Sequence, residues 1–246
     1  RHLRRSLDLR NENGEMPVKV TAFASAHGVY DLYINGQKAD ERLLAPETSN
    51  CGLLIWYQKY DITEHAVNSS KKTEMLIDVL LGDGWWIGRL GMAGSSCNYG
   101  DKLGFIMDVE LVYPDGSKRT EGTDERYMSC DSFIRYSDLY IGEMQDGCAF
   151  DADDIAGDIG DGKLNGYSAY VPEFKTCWKK CRKASYPTDI LAEQIIPGIR
   201  VIRRIPMVQF IHNPNGDLIA DFGQVMAGTV SITVDTKRGS VITVEH

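Results

Sequence analysis

Long apolar runs are missing from this sequence. No stretch approaches the roughly 18 consecutive apolar residues of a membrane span, and Arg1-His2-Leu3-Arg4-Arg5 is not followed by the apolar core of a signal segment. No membrane partner is expected. Positive charge is also scarce: Lys and Arg total 27 against 35 Asp and Glu, for a formal net charge of -8. That balance provides no long-range attraction for nucleic acid or an anionic surface, so neither is expected as a partner, and small neutral ligands fit better. Helical periodicity is short as well. No pattern exceeds about ten residues, which argues against a βαβ parallel sheet.

Paired cysteines are lacking too. Of Cys51, Cys97, Cys130, Cys148, Cys177 and Cys181, only the last two sit close together, and a zinc site needs a second ligand pair that the spacing does not supply. Structural thiols are expected, with no metal and no resident cofactor. A reducing compartment follows, so a soluble protein in the cytoplasm is favoured over a periplasmic or secreted one. No Gly-x-Ser-x-Gly elbow occurs, and the five histidines have no motif partner, which removes Ser-His-Asp hydrolysis. There is no initiating Met, and Ser240 to His246 still alternates when the sequence stops, so it reads as a piece trimmed at both ends.

What is present has mostly a period of two. With 246 residues and 43% hydrophobic content, the chain can bury one large all-β domain or two modest ones. Strands are predicted at Lys19 to Phe23, Val29 to Ile34, Ile55 to Tyr60, Met75 to Leu81, Leu103 to Tyr113 and Lys118 to Thr123. Asn35-Gly36 demands a tight hairpin, Pro114-Asp115-Gly116 a second turn, and Asp61-Ile62-Thr63 caps a helical turn through Val67. Further strands are expected at Arg126 to Ser129, Phe133 to Tyr136, Tyr167 to Phe174 and Ile199 to Ile205. From Pro206 the rhythm changes, with strands at Val208 to His212, Leu218 to Phe222, Thr229 to Val234 and Ser240 to Val244. The expected fold is an all-β, antiparallel jelly-roll β-sandwich over residues 1–205, with a second, truncated β-sandwich beginning at 206–246.

The run Gly28-Val29-Tyr30-Asp31-Leu32-Tyr33-Ile34-Asn35-Gly36 resembles the Gly-x-Tyr-Glu-x-x-Ile-Asn-Gly hairpin of the N-terminal domain of bacterial α-L-rhamnosidases. Further motifs follow in the family's order. They are Leu44-Ala45-Pro46, Tyr57-Gln58-Lys59-Tyr60-Asp61-Ile62-Thr63 and Leu80-Leu81-Gly82-Asp83-Gly84-Trp85-Trp86, then Ser137-Asp138-Leu139-Tyr140-Ile141-Gly142-Glu143 and Asp221-Phe222-Gly223-Gln224. The resemblance implies a jelly roll followed by further sandwiches and a barrel of paired helices whose two carboxyl groups hydrolyse terminal L-rhamnose with inversion. Inversion requires those groups about 6.5 to 9.5 Å apart on a rigid scaffold. Nothing in this chain corresponds to that barrel, so no catalytic residue is expected, and the missing catalytic domain becomes the expected partner.

Some members of the family bind L-rhamnose on the jelly roll through calcium. The corresponding positions here resemble Thr48, Ser49 and Asn50, then Asn98 and Tyr99, with Ser49 where a carboxylate would stand and Glu47 in place of Trp. Calcium prefers about six to eight oxygen ligands, so Glu47, Asp83 or Asp101 would have to compensate. The expected carbohydrate contacts are Asp83, Trp86, Asn98, Tyr99 and Asn50. An indole floor with a polar rim suits a sugar, while paired tryptophans equally plug the open end of a sandwich. Three other features are weighed. The acidic run Asp151, Asp153, Asp154, Asp158 and Asp161 reads as a solvated loop and the basic run Lys175 to Lys183 as an exposed strand face; a self-sufficient glycosidase would need paired carboxylates such as Glu143 and Asp146.

Overall fold

Small and branched residues at Val20, Ala22, Ala24 and Ala26 bury along one strand because successive side chains of an extended chain face opposite ways. The computed structural model describes residues 1–67, 73–91, 94–146, 178–237 and 239–245. Its elements begin with β1 (His2–Asp8), β2 (Lys19–His27), β3 (Val29–Ile34), β4 (Gln37–Lys38), β5 (Ile55–Asp61), α1 (Thr63–Val67), β6 (Glu74–Gly82) and α2 (Gly84–Ile87). They continue with β7 (Gly104–Val112), β8 (Lys118–Gly122), β9 (Met128–Cys130), β10 (Ile134–Asp138) and β11 (Gly142–Gln145). The last are β12 (Lys179–Lys180), β13 (Leu191–Glu193), β14 (Gln209–His212) and β15 (Leu218–Asp221).

Two sheets form a jelly-roll sandwich. One is six-stranded in the order β12-β9-β1-β6-β3-β4, the other five-stranded in the order β13-β5-β2-β7-β8. Between them lies one apolar core, to which the first sheet contributes Leu7, Leu32, Ile34, Ile77 and Val79 and the second Val20, Ala22, Tyr60, Met107, Val109 and Leu111. The Asn35-Gly36 turn between β3 and β4 has φ of 51° and 81°, the doubly positive pair that a two-residue hairpin needs. Asp61 accepts the Thr63 amide at 3.1 Å and so starts α1.

The structure corrects several expectations. β1 was not anticipated, yet it lies inside the six-stranded sheet between β6 and β9. Its polar sequence is accommodated by pairing. His2 Nε2 and Arg4 Nε each meet Asp78 Oδ1 at 2.6 Å, and Arg5 donates to Glu121 at 2.9 Å and to the Gly122 carbonyl at 2.8 Å. The sheets are not wholly antiparallel, because β13 runs parallel to β5 with Leu191 opposite Ile55. Ile199 to Ile205, Thr229 to Val234 and Ser240 to Val244 form no strand: their alternation meets no neighbouring ladder among the described residues, and Ile202 and Val241 are 91% and 88% exposed. The expected strand at Tyr167 to Phe174, the acidic run at 151–161, Cys148, Cys177 and Lys175 lie outside the described residues.

The chain divides into two compact units, Arg1–Ile199 and Arg200–His246. The first holds both sheets and the β10–β11 hairpin. The second contains the β14–β15 hairpin, in register from Gln209 opposite Asp221 to His212 opposite Leu218, closed by a turn in which Asn213 accepts the Asp217 amide. No helix among the described residues is long and apolar enough to cross a membrane.

Candidate functional site

The Gly82 to Arg89 segment is shaped by close backbone approach. A side chain on Gly84 would come within 2.6 Å of Val29, and one on Gly28, whose φ is +122°, within 2.4 Å of the Gly82 carbonyl oxygen. The end of β6 can therefore fold back as the single turn α2 against the start of β3. Asp138 holds the far side of that turn. Its buried carboxylate accepts the Arg89, Tyr140 and Ile141 amides at 3.1, 2.8 and 3.2 Å, and the Arg89 guanidinium lies 3.7 Å away. Burial pushes this carboxyl up, but the three amides and Arg89 outweigh it and hold the group below the usual Asp range. Arg89 thus anchors the adjacent loop.

Asp83 precedes α2 without capping it through its side chain. Burial raises its carboxyl above the ordinary Asp value, and the charge of Asp138 adds to the push. Trp86, one turn on, is only 8% exposed. The His27 ring lies flat on its indole, with centroids 3.7 Å apart and planes within 5°, and Tyr99 stacks at 6.1 Å. Gly100 closes over the indole edge so tightly that a Cβ there would sit 2.5 Å from Nε1, a buried nitrogen with no hydrogen-bond partner among the described residues. Tyr186 completes the cluster, 4.3 Å from His27 and 6.4 Å from Trp86, its plane nearly perpendicular to both. Burial lowers the His27 pKa, which keeps the imidazole neutral beside the indole.

Asp83, Trp86, Tyr99 and, by chain adjacency, Asn98 are therefore gathered at one end of the sandwich. Asn98 is exposed and bonds locally: its amide donates to the Ser95 carbonyl and its oxygen accepts the Ser95 hydroxyl at 2.9 Å. The hydrogen bonds of Asn50 stay within its own turn, where Oδ1 accepts the Gly52 amide at 3.3 Å and the backbone carbonyl takes the Leu53 and Leu54 amides. In the stretch 47–50 Glu47 is the one carboxylate; it accepts the Ile199 amide at 2.8 Å, and Ser49 donates its hydroxyl to the Leu54 carbonyl at 2.6 Å, so this stretch by itself supplies few of the oxygen ligands that calcium prefers. Among the described residues no group of three His, Cys, Asp or Glu side chains is placed to hold a metal ion. Among the described cysteines, Cys51, Cys97 and Cys181 are free thiols.

His27 and Tyr186 were not legible as site residues. His27 reads only as the end of a strand, and Tyr186 is far from it in sequence, so their meeting depends on the path of the chain between β12 and β13. An open cleft of about 560 Å³ lies elsewhere, lined by Thr123, Asp124, Glu125, Arg126, Lys180 and Lys183. It has no aromatic floor, and Arg126 is engaged by Asp124 and Glu121, so it does not offer the chemistry of a sugar site. In the β10–β11 hairpin, Asp146 pairs with Arg135 at 3.1 Å and Glu143 accepts from Gln145.

Comparison with known proteins gives a consistent result. The chain is similar to the α-L-rhamnosidase of Streptomyces avermitilis, 25% identical over 229 residues that make up 91% of this chain and 20% of that protein. It is similar to an α-L-rhamnosidase of Formosa agariphila, 24% identical over 94% of this chain and 25% of that protein. It thus spans a fifth to a quarter of the length of these relatives. The fold is similar to part of the native α-L-rhamnosidase from Aspergillus terreus, with a TM-score of 0.76 at 24% identity over 91% of this chain and 23% of that one. The Streptomyces avermitilis enzyme complexed with L-rhamnose superposes with a TM-score of 0.73 at 22% identity, over 92% and 20% of the two chains. Residues 15–203 match the family described as the α-L-rhamnosidase N-terminal domain, and the chain belongs to that family.

Proposed function

We propose that this chain is the non-catalytic β-sandwich part of an α-L-rhamnosidase. In this reading residues 1–205 form the jelly roll that supports a catalytic helical barrel, and residues 206–246 begin the next sandwich. The observation that carries it is the family match over most of the chain combined with a span of only a fifth to a quarter of the matched relatives. The jelly roll also contacts terminal L-rhamnose at its aromatic end, with Asp83 and Asn98 as the polar rim. The fragment does not turn over, since inverting hydrolysis needs two acids poised about 6.5 to 9.5 Å apart on a scaffold that these strands do not include.

Two measurements test it together. Titration calorimetry with L-rhamnose, with and without a chelator, should show binding in the millimolar range that the chelator leaves unchanged. An aryl rhamnoside should release no phenol. Turnover that disappears on changing Glu143 or Asp146 would overturn the non-catalytic assignment. A purely structural module is the second reading, favoured by one observation: Trp86 is buried under His27 and serves as core at that end. Silence in the calorimeter selects it.

A further inference from the structure

We propose that Tyr186, and not Trp86, is the aromatic platform on which a pyranose rests at this end of the sandwich. The inference builds on the carbohydrate-binding reading above and names the residue that does the contacting. A sugar stacks through its C–H face on an aromatic ring only if that ring face is open, and Trp86 is 92% removed from solvent, with His27 flat against it at 3.7 Å. Tyr186 is 43% exposed.

The geometry fixes how the phenol is presented. The separations of 3.7 Å (His27 to Trp86), 4.3 Å (His27 to Tyr186) and 6.4 Å (Trp86 to Tyr186) put Tyr186 beside the imidazole edge and not above the stack. Its plane stands at 90° to His27 and 85° to Trp86. At 4.3 Å only an imidazole edge pointing into the phenol face avoids a clash, so one face of Tyr186 is backed by the His27–Trp86 stack and the other looks outward.

The strap that carries Tyr186 is fastened at both ends. On one side Lys179 and Lys180 pair with β9 and the Cys181 amide donates to the Tyr127 carbonyl at 2.9 Å. On the other, Leu191 to Glu193 pair with β5 and the Gln194 amide donates to Tyr57 at 3.0 Å. A large aromatic held in place costs little conformational entropy when it binds. The ligand class is a pyranose with an apolar face, a 6-deoxyhexose above all, since its methyl group extends the surface laid on the ring.

The test is titration of L-rhamnose, with L-mannose as the sugar that differs by a hydroxyl at C6, into the wild type, Tyr186→Phe, Tyr186→Leu and Trp86→Phe, each checked for folding by thermal unfolding. Tyr186→Phe should bind within about twofold of the wild type and Tyr186→Leu about tenfold or more weaker, while Trp86→Phe stays near the wild type. The rhamnose methyl proton signal should shift upfield on binding and lose that shift in Tyr186→Leu. If Tyr186→Leu does not fold, cross-relaxation between sugar protons and the Tyr186 ring in the wild type decides the matter. Equal affinity in Tyr186→Leu, loss of binding in folded Trp86→Phe alone, or no cross-relaxation overturns the platform. No binding by the wild type instead sinks the carbohydrate reading itself.

Discussion

His2 Nε2 meets Asp78 Oδ1 at 2.6 Å with both side chains sealed from solvent, and this contact joins two adjacent strands of the six-stranded sheet. Arg4 Nε reaches the same oxygen, so one carboxylate serves two partners from β1. Truncating a buried carboxylate that two partners share deprives each of them of a charge-assisted contact. Asp78→Ala should therefore lower the unfolding free energy by about 3 to 5 kcal/mol, read from urea denaturation. A loss below about 1 kcal/mol would mean that water satisfies the site.

Asp138 should control the acid limit of the aromatic end. Its folded carboxyl lies below the ordinary Asp range, so its contribution is complete above the unfolded value and fades as pH falls from there toward the folded one. Asp138→Asn should flatten that part of the stability profile. Asp138→Ala, which strands three amides, should cost about 1 to 3 kcal/mol at neutral pH. Hydrogen exchange at Arg89, Tyr140 and Ile141 should accelerate in both variants.

For His27 the shift is also downward, but the cause is burial. The unfolded chain takes up the proton more readily, so stability is fully present above the ordinary His value and declines as pH falls below it toward the folded value. His27→Phe preserves a flat ring against Trp86 and should remove that decline. The same variant should abolish any change in Trp86 emission over that interval, measured in a background where Trp56, Trp85 and Trp178 are replaced by phenylalanine.

Gly28→Ala probes the approach of β3 to the end of β6. With φ at +122° and a carbonyl oxygen 2.4 Å from the new methyl, neither the backbone nor its neighbour can yield cheaply. A loss of about 1 to 3 kcal/mol is expected. Gly116→Ala, at a positive φ of 82° with nothing within 4 Å, should cost less, and the difference isolates the close approach.

How much of this was readable in advance differs from residue to residue. Asn35-Gly36 announces its turn because the two residues that tolerate positive φ sit next to each other. Asp61 and Thr63 likewise declare the start of α1 within three positions. β1 stayed hidden because His2, Arg4 and Arg5 look solvent-seeking until Asp78 and Glu121, more than seventy residues away, neutralise them. The opposite error occurs at Thr229 to Val234, where alternation is strong but no ladder receives it. At the candidate site the Gly82 to Trp86 motif marks the end of the sandwich where the aromatic cluster lies. The composition of that end, with His27 beneath and Tyr186 beside the stack, required knowing where the return from β12 to β13 runs.

That return has a second result. Within about a dozen residues it gives an outermost strand to each of the two sheets, β12 to one and β13 to the other. A bare outer strand is where foreign chains add on and aggregation begins, and here two such margins are occupied by the same stretch. A proteolytic nick between them would uncouple the two margins, so that each short strand would hold its sheet's edge by its own ladder alone.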